Sequence, residues 1–291
     1  MSGKLKLGYV GVGLMGLPMV KRLAPLGYAI RAYDIVPAQL RAAVEAGASA
    51  ASSAGDVVQG ADLVLLNLPT TDAVEQAVFG ERGVASAIRP PQLVVDFSTI
   101  TVEKCRAFGA QLRADTGCGW IDAPVSGGPP ASGTGTLTVM AGGEAADIER
   151  ARPLFADVAG RFTHMGPPAA GMATKMLNQL IVGCGHVVMA EAVVLAEAAG
   201  IDAARLPECL AGGLADSALL QKLYPRVQRR EFAPQGYVRQ LLKDLEMVHA
   251  FGAGLKAPMP MLAEALSLYR MLAHQGHTEL DTAAVRKSKR A

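Results

Sequence analysis

The chain has 291 residues, room for two domains of ordinary size or one large one; 51% are hydrophobic and 19% charged, which permits a large core and argues against disorder. A formal net charge of +2 argues against a dedicated nucleic-acid binder. Cys105, Cys118, Cys184 and Cys209 show neither CxxC nor ligand spacing and read as reduced core thiols of a cytoplasmic protein, and the five histidines offer no metal site.

The opening MSGKLKLGYVGVGLMGLPMV lacks a small-residue cleavage site and runs into Lys21–Arg22, so it reads as a strand and glycine turn rather than a signal peptide. Residues 5–10 (LKLGYV) predict a buried parallel strand. Gly11-Val12-Gly13-Leu14-Met15-Gly16 follows directly, then a helix through Leu26 ended by Gly27, then a strand over 28–33 ending at Asp34, eighteen residues after Gly16. Strand, GxGxxG, helix, strand and acid together predict a dinucleotide site. Gly11 permits the turn, Gly13 lets the backbone approach a pyrophosphate, and Gly16 lets the helix pack close to the strand, its N-terminus facing the anion. Asp34 suits a ribose 2′-hydroxyl and repels a 2′-phosphate, and Ile35 rather than arginine follows, so NAD is favoured over NADP. Asp34 can equally serve as a helix N-cap before Pro37.

The alternation continues with strands over 61–68 and 92–97 and helices over 72–79 and 101–116, Thr101 being the N-cap of the latter. Such repetition predicts a Rossmann-type, doubly wound α/β sheet with ligands at the carboxyl ends of its strands, so Asn67, Leu68, Pro69, Ser98 and Thr99 point toward the cofactor. A strand over 120–122 leads into Ala123-Pro124-Val125-Ser126-Gly127-Gly128 and a small-residue loop to Gly135, either a carboxylate-binding backbone or a plain connection. A strand over 136–141, a helix over 145–155 and a strand over 161–165 complete this part. After Gly166-Pro167-Pro168 only helical patterns remain: 171–200, about 202–211, 216–230, 237–253, 258–274 and a short terminal one. The expected division is a Rossmann domain over 1–166 and an all-helical domain over 167–291, with the basic run RKSKR (286–290) a solvated tail.

The helix over 171–200 is apolar nearly all round, yet at ~100° per residue Lys175, Asn178, Gln179 and His186 share one stripe. The charge-free stretch from Lys175 to Glu191 falls short of the ~20 apolar residues of a membrane span. Gly183 and Gly185 predict close packing of a neighbour. By spacing alone, Lys175 reads equally as a structural or snorkelling lysine and as a catalytic acid lining a cleft.

Four ordered stretches resemble the β-hydroxyacid dehydrogenase family, which includes 3-hydroxyisobutyrate dehydrogenases and tartronate semialdehyde reductases: GYVGVGLMGLPM (8–19), DAPVSGG with GTLTVMAGG (122–128 and 135–143), GMATKMLNQ (171–179) and LLKDLEMV (241–248). The resemblance implies a cofactor loop at Gly11, Gly13, Leu14, Met15 and Gly16, and a substrate-carboxylate segment at Ser126, Gly127 and Gly128. It further implies Lys175 as catalytic acid/base, Thr99 near nicotinamide or substrate, and Lys243 and Asp244 near the cofactor. It also implies that the long helix bridges both domains, and a homodimer or homotetramer formed through the helical domain. Many members carry asparagine four residues after the lysine; here it is Gln179, after Asn178. Asn-Gln and the GGLADS stretch (212–217) look like tartronate semialdehyde reductases, whereas Tyr-Asp without a following arginine looks like NAD-using 3-hydroxyisobutyrate enzymes. FAPQGY (232–237) places its aromatic one residue later than the family pattern, which leaves Tyr237 outside the site. Rival readings are a non-catalytic dinucleotide-binding module and an imine reductase of related fold; both are expected to lose the lysine that this chain retains.

Overall fold

A computed structural model describes residues 4–289. The chain divides into two compact units, the boundary falling between Lys175 and Met176.

The first unit holds one nine-stranded sheet. Its strands are β1 (Lys6–Val10), β2 (Ala29–Tyr33), β3 (Ser49–Ala50), β4 (Leu63–Leu66), β5 (Leu93–Asp96), β6 (Gly119–Asp122), β7 (Val125–Ser126), β8 (Leu137–Gly142) and β9 (Ala159–Gly166). They lie in the order β3-β2-β1-β4-β5-β6-β8-β7, and β9 also pairs with β8. From β3 to β6 all pairs are parallel; β8 runs antiparallel to β6 and β7, and parallel to β9. This is the mostly parallel, doubly wound arrangement that the strand–helix alternation predicts. The continuous apolar runs of β4 and β5 are buried along their whole length, as strands covered on both faces must be. The chain leaves β1 toward β2 on one side and returns to β4 on the other, so a crevice opens beyond the carboxyl ends of β1 and β4.

The helices of this unit are α1 (Gly16–Leu23), α2 (Pro37–Glu45), α3 (Thr71–Phe79), α4 (Val84–Ala87), α5 (Val102–Thr116), α6 (Gly128–Thr134) and α7 (Ala145–Val158). Thr70 and Thr101 cap α3 and α5 by accepting from Ala73 N–H and Lys104 N–H, each contact contributing ~1 kcal/mol. One expectation is corrected here: residues 128–134 form α6 rather than a loop. Pro129 and Pro130 preset helical φ in its first turn, and the buried Ser132 hydroxyl donates to the Met15 carbonyl at 2.9 Å.

Helix α8 (Ala170–Ala198) crosses the boundary between the units. Contrary to the count of charge-free residues, it is long and apolar enough, by length and composition alone, to cross a membrane: an 18-residue stretch of it has a mean hydropathy of 1.8, and 39% of that stretch is buried within the protein. Its rarer polar residues Lys175, Gln179 and His186 are buried.

The second unit, among the described residues, is helical apart from an isolated bridge between Tyr237 and Asp281. It continues α8 with α9 (Leu206–Leu210), α10 (Ala218–Lys222), α11 (Tyr224–Arg229), α12 (Val238–Gly254), α13 (Pro260–His274) and a 3-10 helix over Thr282–Lys289. The patterns over 202–211 and 216–230 break into short pieces because Pro207 and Pro225 restart the helix within each. A Cβ on Gly183 would lie 2.5 Å from Leu245, and one on Gly185 2.4 Å from Leu219, so both glycines do admit a close neighbour. The basic run is not simply a solvated tail: Arg286 is buried, paired with Glu197 at 2.7 Å and bonded to the Val227 and Gln228 carbonyls; Arg290 lies outside the described residues. Nor are all the thiols core groups, since Cys209 is exposed on the short α9 and Cys184 half-buried.

Candidate active site

The glycine turn sits at the mouth of the crevice. Gly11 has φ +87°, and a Cβ there would lie 2.5 Å from the Asn67 carbonyl. A Cβ on Gly16 would lie 2.2 Å from the Gly11 carbonyl, so α1 can start against the turn only with glycine at that position. Gly13 differs: a Cβ there meets nothing within 4 Å. Its missing side chain serves no protein contact and instead leaves open space over the backbone. Helix α1 begins without a side-chain cap and without an acid in its first turn; Leu17 N–H is bonded to the Gly13 carbonyl and Pro18 has no N–H, so it is the positive end of the helix dipole that favours an anion here. These features fit a dinucleotide pyrophosphate.

Asp34, at the end of β2, accepts from Val12 N–H and Val36 N–H, both at 2.8 Å. The N-cap of α2 is Val36, with no side-chain cap bond, so Asp34 is not the helix cap of the alternative reading. One oxygen braces the glycine turn, and a carboxylate retains lone pairs for ribose hydroxyls. Across the crevice, Ser98 accepts from Leu68 N–H at 2.9 Å and donates its own N–H to the buried Asp96 carboxylate at 2.9 Å. That pairing fixes Leu68, beside exposed Pro69, to the segment carrying half-buried Thr99.

The second half of the site is built on β6 and β7. Lys175 is 6% exposed, and its Nζ donates to the Val125 carbonyl at 2.8 Å, beside Ser126. Gly127 follows with φ +125°, where a Cβ would collide with Ala131 at 2.6 Å. The Ser132 hydroxyl of α6 donates to the Met15 carbonyl, so the helix that follows Gly127 is tied to the glycine turn. Sequence reasoning missed Asp122. Its wholly buried carboxylate accepts from Ala169 N–H at 2.8 Å and Met172 N–H at 2.7 Å at the start of α8. Burial raises its pKa to about 6, against the lowering by those backbone donors. An acid at the end of a buried strand was the available signal.

The second unit carries its own polar chain. Asn178 donates to Gln179 Oε1 at 2.7 Å, Gln179 Nε2 donates to Asp244 Oδ2 at 2.6 Å, and Lys243 Nζ lies 3.2 Å from Asp244 Oδ1. Four residues expected at the site are thus joined to one another. His186 stands apart from them. Its Nδ1 donates to the Val182 carbonyl at 2.8 Å and Nε2 accepts from the Thr282 hydroxyl at 3.0 Å, while burial lowers its pKa. A neutral ring with both nitrogens used is a structural group. Tyr237 bridges to Asp281, whose buried carboxylate also binds Arg226 and the Gln235 and Gly236 N–H groups.

A family model described as the NAD-binding domain of 6-phosphogluconate dehydrogenase matches residues 6–166, and one described as NAD-binding of NADP-dependent 3-hydroxyisobutyrate dehydrogenase matches 169–288. The NAD-dependent L-serine dehydrogenase of Pseudomonas aeruginosa is 37% identical, covering 97% of both chains. The 2-hydroxy-3-oxopropionate reductase of Escherichia coli is 32% identical, covering 97% of this chain and 96% of its own. Among solved structures, Mycobacterium tuberculosis 3-hydroxyisobutyrate dehydrogenase with L-serine superposes with a TM-score of 0.88 at 30% identity, covering 99% of each chain.

Proposed function

The chain belongs to the β-hydroxyacid dehydrogenase family, NAD(P)-dependent enzymes that act on the hydroxyl group of small hydroxy acids. From that premise we propose that it transfers a hydride between nicotinamide and a small 3-hydroxy carboxylate or its semialdehyde, with Lys175 as general acid/base. The observation that carries this reading is the buried Lys175 ammonium held on the Val125 carbonyl beside Ser126.

Bound NAD(P) supplies the hydride acceptor or donor. As hydride leaves the alcohol carbon, the hydroxyl proton must leave too, and in the reverse direction the carbonyl oxygen must gain one. Lys175 Nζ moves that proton, a contribution of ~10²–10⁴-fold. Its ammonium form also stabilises negative charge growing on the oxygen. Ser126, Gly127 and Gly128 hold the substrate carboxylate. Gly11, Gly13, Leu14, Met15 and Gly16 hold the pyrophosphate, with Leu68, Pro69 and Thr99 lining the crevice. Asp34 accepts from the ribose hydroxyls and disfavours a 2′-phosphate, so NAD is the preferred cofactor. The resemblance assigns substrate contacts to Asn178 and Gln179, and cofactor contacts to Lys243 and Asp244.

Tartronate semialdehyde is the favoured substrate, supported by Asn178-Gln179 and the GGLADS stretch. L-Serine is the second reading, supported by the 37% identity to the Pseudomonas enzyme; 3-hydroxyisobutyrate is the third. All three carry the reacting carbon β to a carboxylate and differ at C2, which bears hydroxyl, amino or methyl. Residues 1–166 and 167–291 are the proposed domains. A cytoplasmic homodimer or homotetramer is the proposed state: Leu177, Ile181, Val188 and Leu195 are exposed along one side of α8.

The test is turnover of the three substrates with NAD(H) and NADP(H), in the wild type and in Lys175→Ala. Turnover of at least one substrate should fall by ~10²-fold or more in the variant while NADH binding persists. Near-wild-type turnover in Lys175→Ala would remove the lysine from the mechanism.

A further inference from the structure

We propose that Asp122 is a positioning residue for Lys175: its carboxylate ties the end of β6 to the first turn of α8 and so sets the helix register that places the lysine ammonium on the Val125 carbonyl. The proposal rests on the reading of Lys175 as the acid/base.

Two short segments face each other. On one, Asp122 and Val125 are three residues apart; on the other, so are Met172 and Lys175. Two rungs join them, Met172 N–H to Asp122 Oδ2 at 2.7 Å and Lys175 Nζ to the Val125 carbonyl at 2.8 Å. The second Asp122 oxygen takes Ala169 N–H at 2.8 Å, just before the helix. Ala169 has φ +73°, a conformation that a residue with a Cβ adopts at a cost, so the chain enters α8 under a constraint that the carboxylate helps to hold. Contact is also tight enough to transmit register. A Cβ on Gly171 would lie 2.4 Å from the Met140 carbonyl and 2.8 Å from the Asp122 carbonyl, so the helix start sits directly on the sheet backbone.

A wholly buried carboxylate is an expensive way to cap a helix, since an exposed serine or threonine does so without desolvating a charge. What the carboxylate adds is two fixed acceptors on one rigid plane, each holding a different residue of the helix entry. Lys175 lies less than one helical turn beyond Met172, and a flexible four-carbon side chain reaches a fixed point only if its Cα is fixed. Misplacing a catalytic group by ~1 Å can cost ~10²-fold in rate.

Asp122→Asn keeps the size of the side chain but leaves one acceptor and sets an NH₂ against a backbone N–H. The expected result is a kcat lowered by about 10²-fold, with substrate KM and NADH Kd within threefold of wild type and an unchanged circular dichroism spectrum. The double variant Asp122→Asn/Lys175→Ala should turn over no more slowly than Lys175→Ala alone, because Asp122 acts only through the lysine. An unchanged kcat in Asp122→Asn, or a further fall in the double variant, overturns the proposal. If Lys175→Ala itself keeps wild-type turnover, the acid/base reading fails instead. Asp122→Ser, which retains one cap acceptor, is the second variant should the amide fail to fold; failure of both to fold assigns Asp122 a purely structural role and also overturns the proposal.

Discussion

Gly13 and Gly16 lie three residues apart in one motif, yet their surroundings predict opposite responses to alanine. At Gly16 the new Cβ would stand 2.2 Å from the Gly11 carbonyl, a backbone atom that cannot swing aside, so α1 must shift away from β1. Overpacking of this kind costs ~1–3 kcal/mol, and at ~2–4 °C per kcal/mol for a chain of this size Tm falls by roughly 2–12 °C. At Gly13 the Cβ meets nothing within 4 Å and φ is not in the left-handed region, so the folded protein accepts alanine. Lower entropy of the unfolded chain makes Gly13→Ala neutral or more stable by ~0.4–1 kcal/mol. The methyl group instead occupies the space through which a pyrophosphate approaches the backbone. Loss of one charge-assisted hydrogen bond, ~1.5–3 kcal/mol, corresponds to a roughly ten- to hundredfold weaker NADH Kd at about 1.4 kcal/mol per tenfold. Thermal unfolding without ligand and NADH fluorescence titration separate the two effects. Wild-type NADH affinity in Gly13→Ala, or a loss of Tm matching that of Gly16→Ala, refutes the assignment of this turn as the phosphate cradle.

Three other outcomes are expected. Asp34→Ala should lower the ratio of kcat/KM for NADH over NADPH by about tenfold or more, since it removes the acceptor for the ribose hydroxyls and the charge opposing a 2′-phosphate; steady-state kinetics with both cofactors check this, and an unchanged ratio counts against the NAD preference. Ile181→Asp combined with Leu195→Asp places charge on two of the most exposed apolar positions of α8, 68% and 70% exposed, and should shift the proposed oligomer to smaller species in light scattering after size-exclusion chromatography. Asp122 predicts a pH dependence of stability. Its folded pKa is raised from 3.8 to about 6 by burial, so the folded state binds the proton more tightly than the unfolded one. The stability from this group is full below pH ~4 and lost as pH rises through about 6, a difference of ~3 kcal/mol. Urea unfolding from pH 4 to 7 should show that fall in the wild type relative to Asp122→Asn; parallel curves would contradict it.

The geometry of the candidate site was legible where the chain carries a local pattern. Gly11, Gly16 and Asp34 are constrained by a turn, a helix contact and a strand end within thirty residues of chain, so spacing alone placed them. The short pieces β3 and α4 escaped because two to four residues carry no usable periodicity, and α6 was read as a loop because small residues and prolines also mark turns. Arg286 was misread for a related reason: a basic run looks solvated until its partner is known, and Glu197 lies 89 residues away.

By itself the sequence determined the alternation of strands and helices, the dinucleotide turn, the change to helices after Pro168 and the polar stripe that carries Lys175. These are local properties, written at periods of 2 and 3.6 or in glycine spacing, and short-range sterics enforce them. Only the tertiary structure decided what each polar group on the stripe does. It put Lys175 on the Val125 carbonyl, joined Gln179 to Asp244, closed both nitrogens of His186, and set Asp122 under the start of α8. Those partners are between 4 and 96 residues apart in sequence. Burial makes a polar side chain seek whichever acceptor or donor the packing brings near, and no spacing rule records that choice.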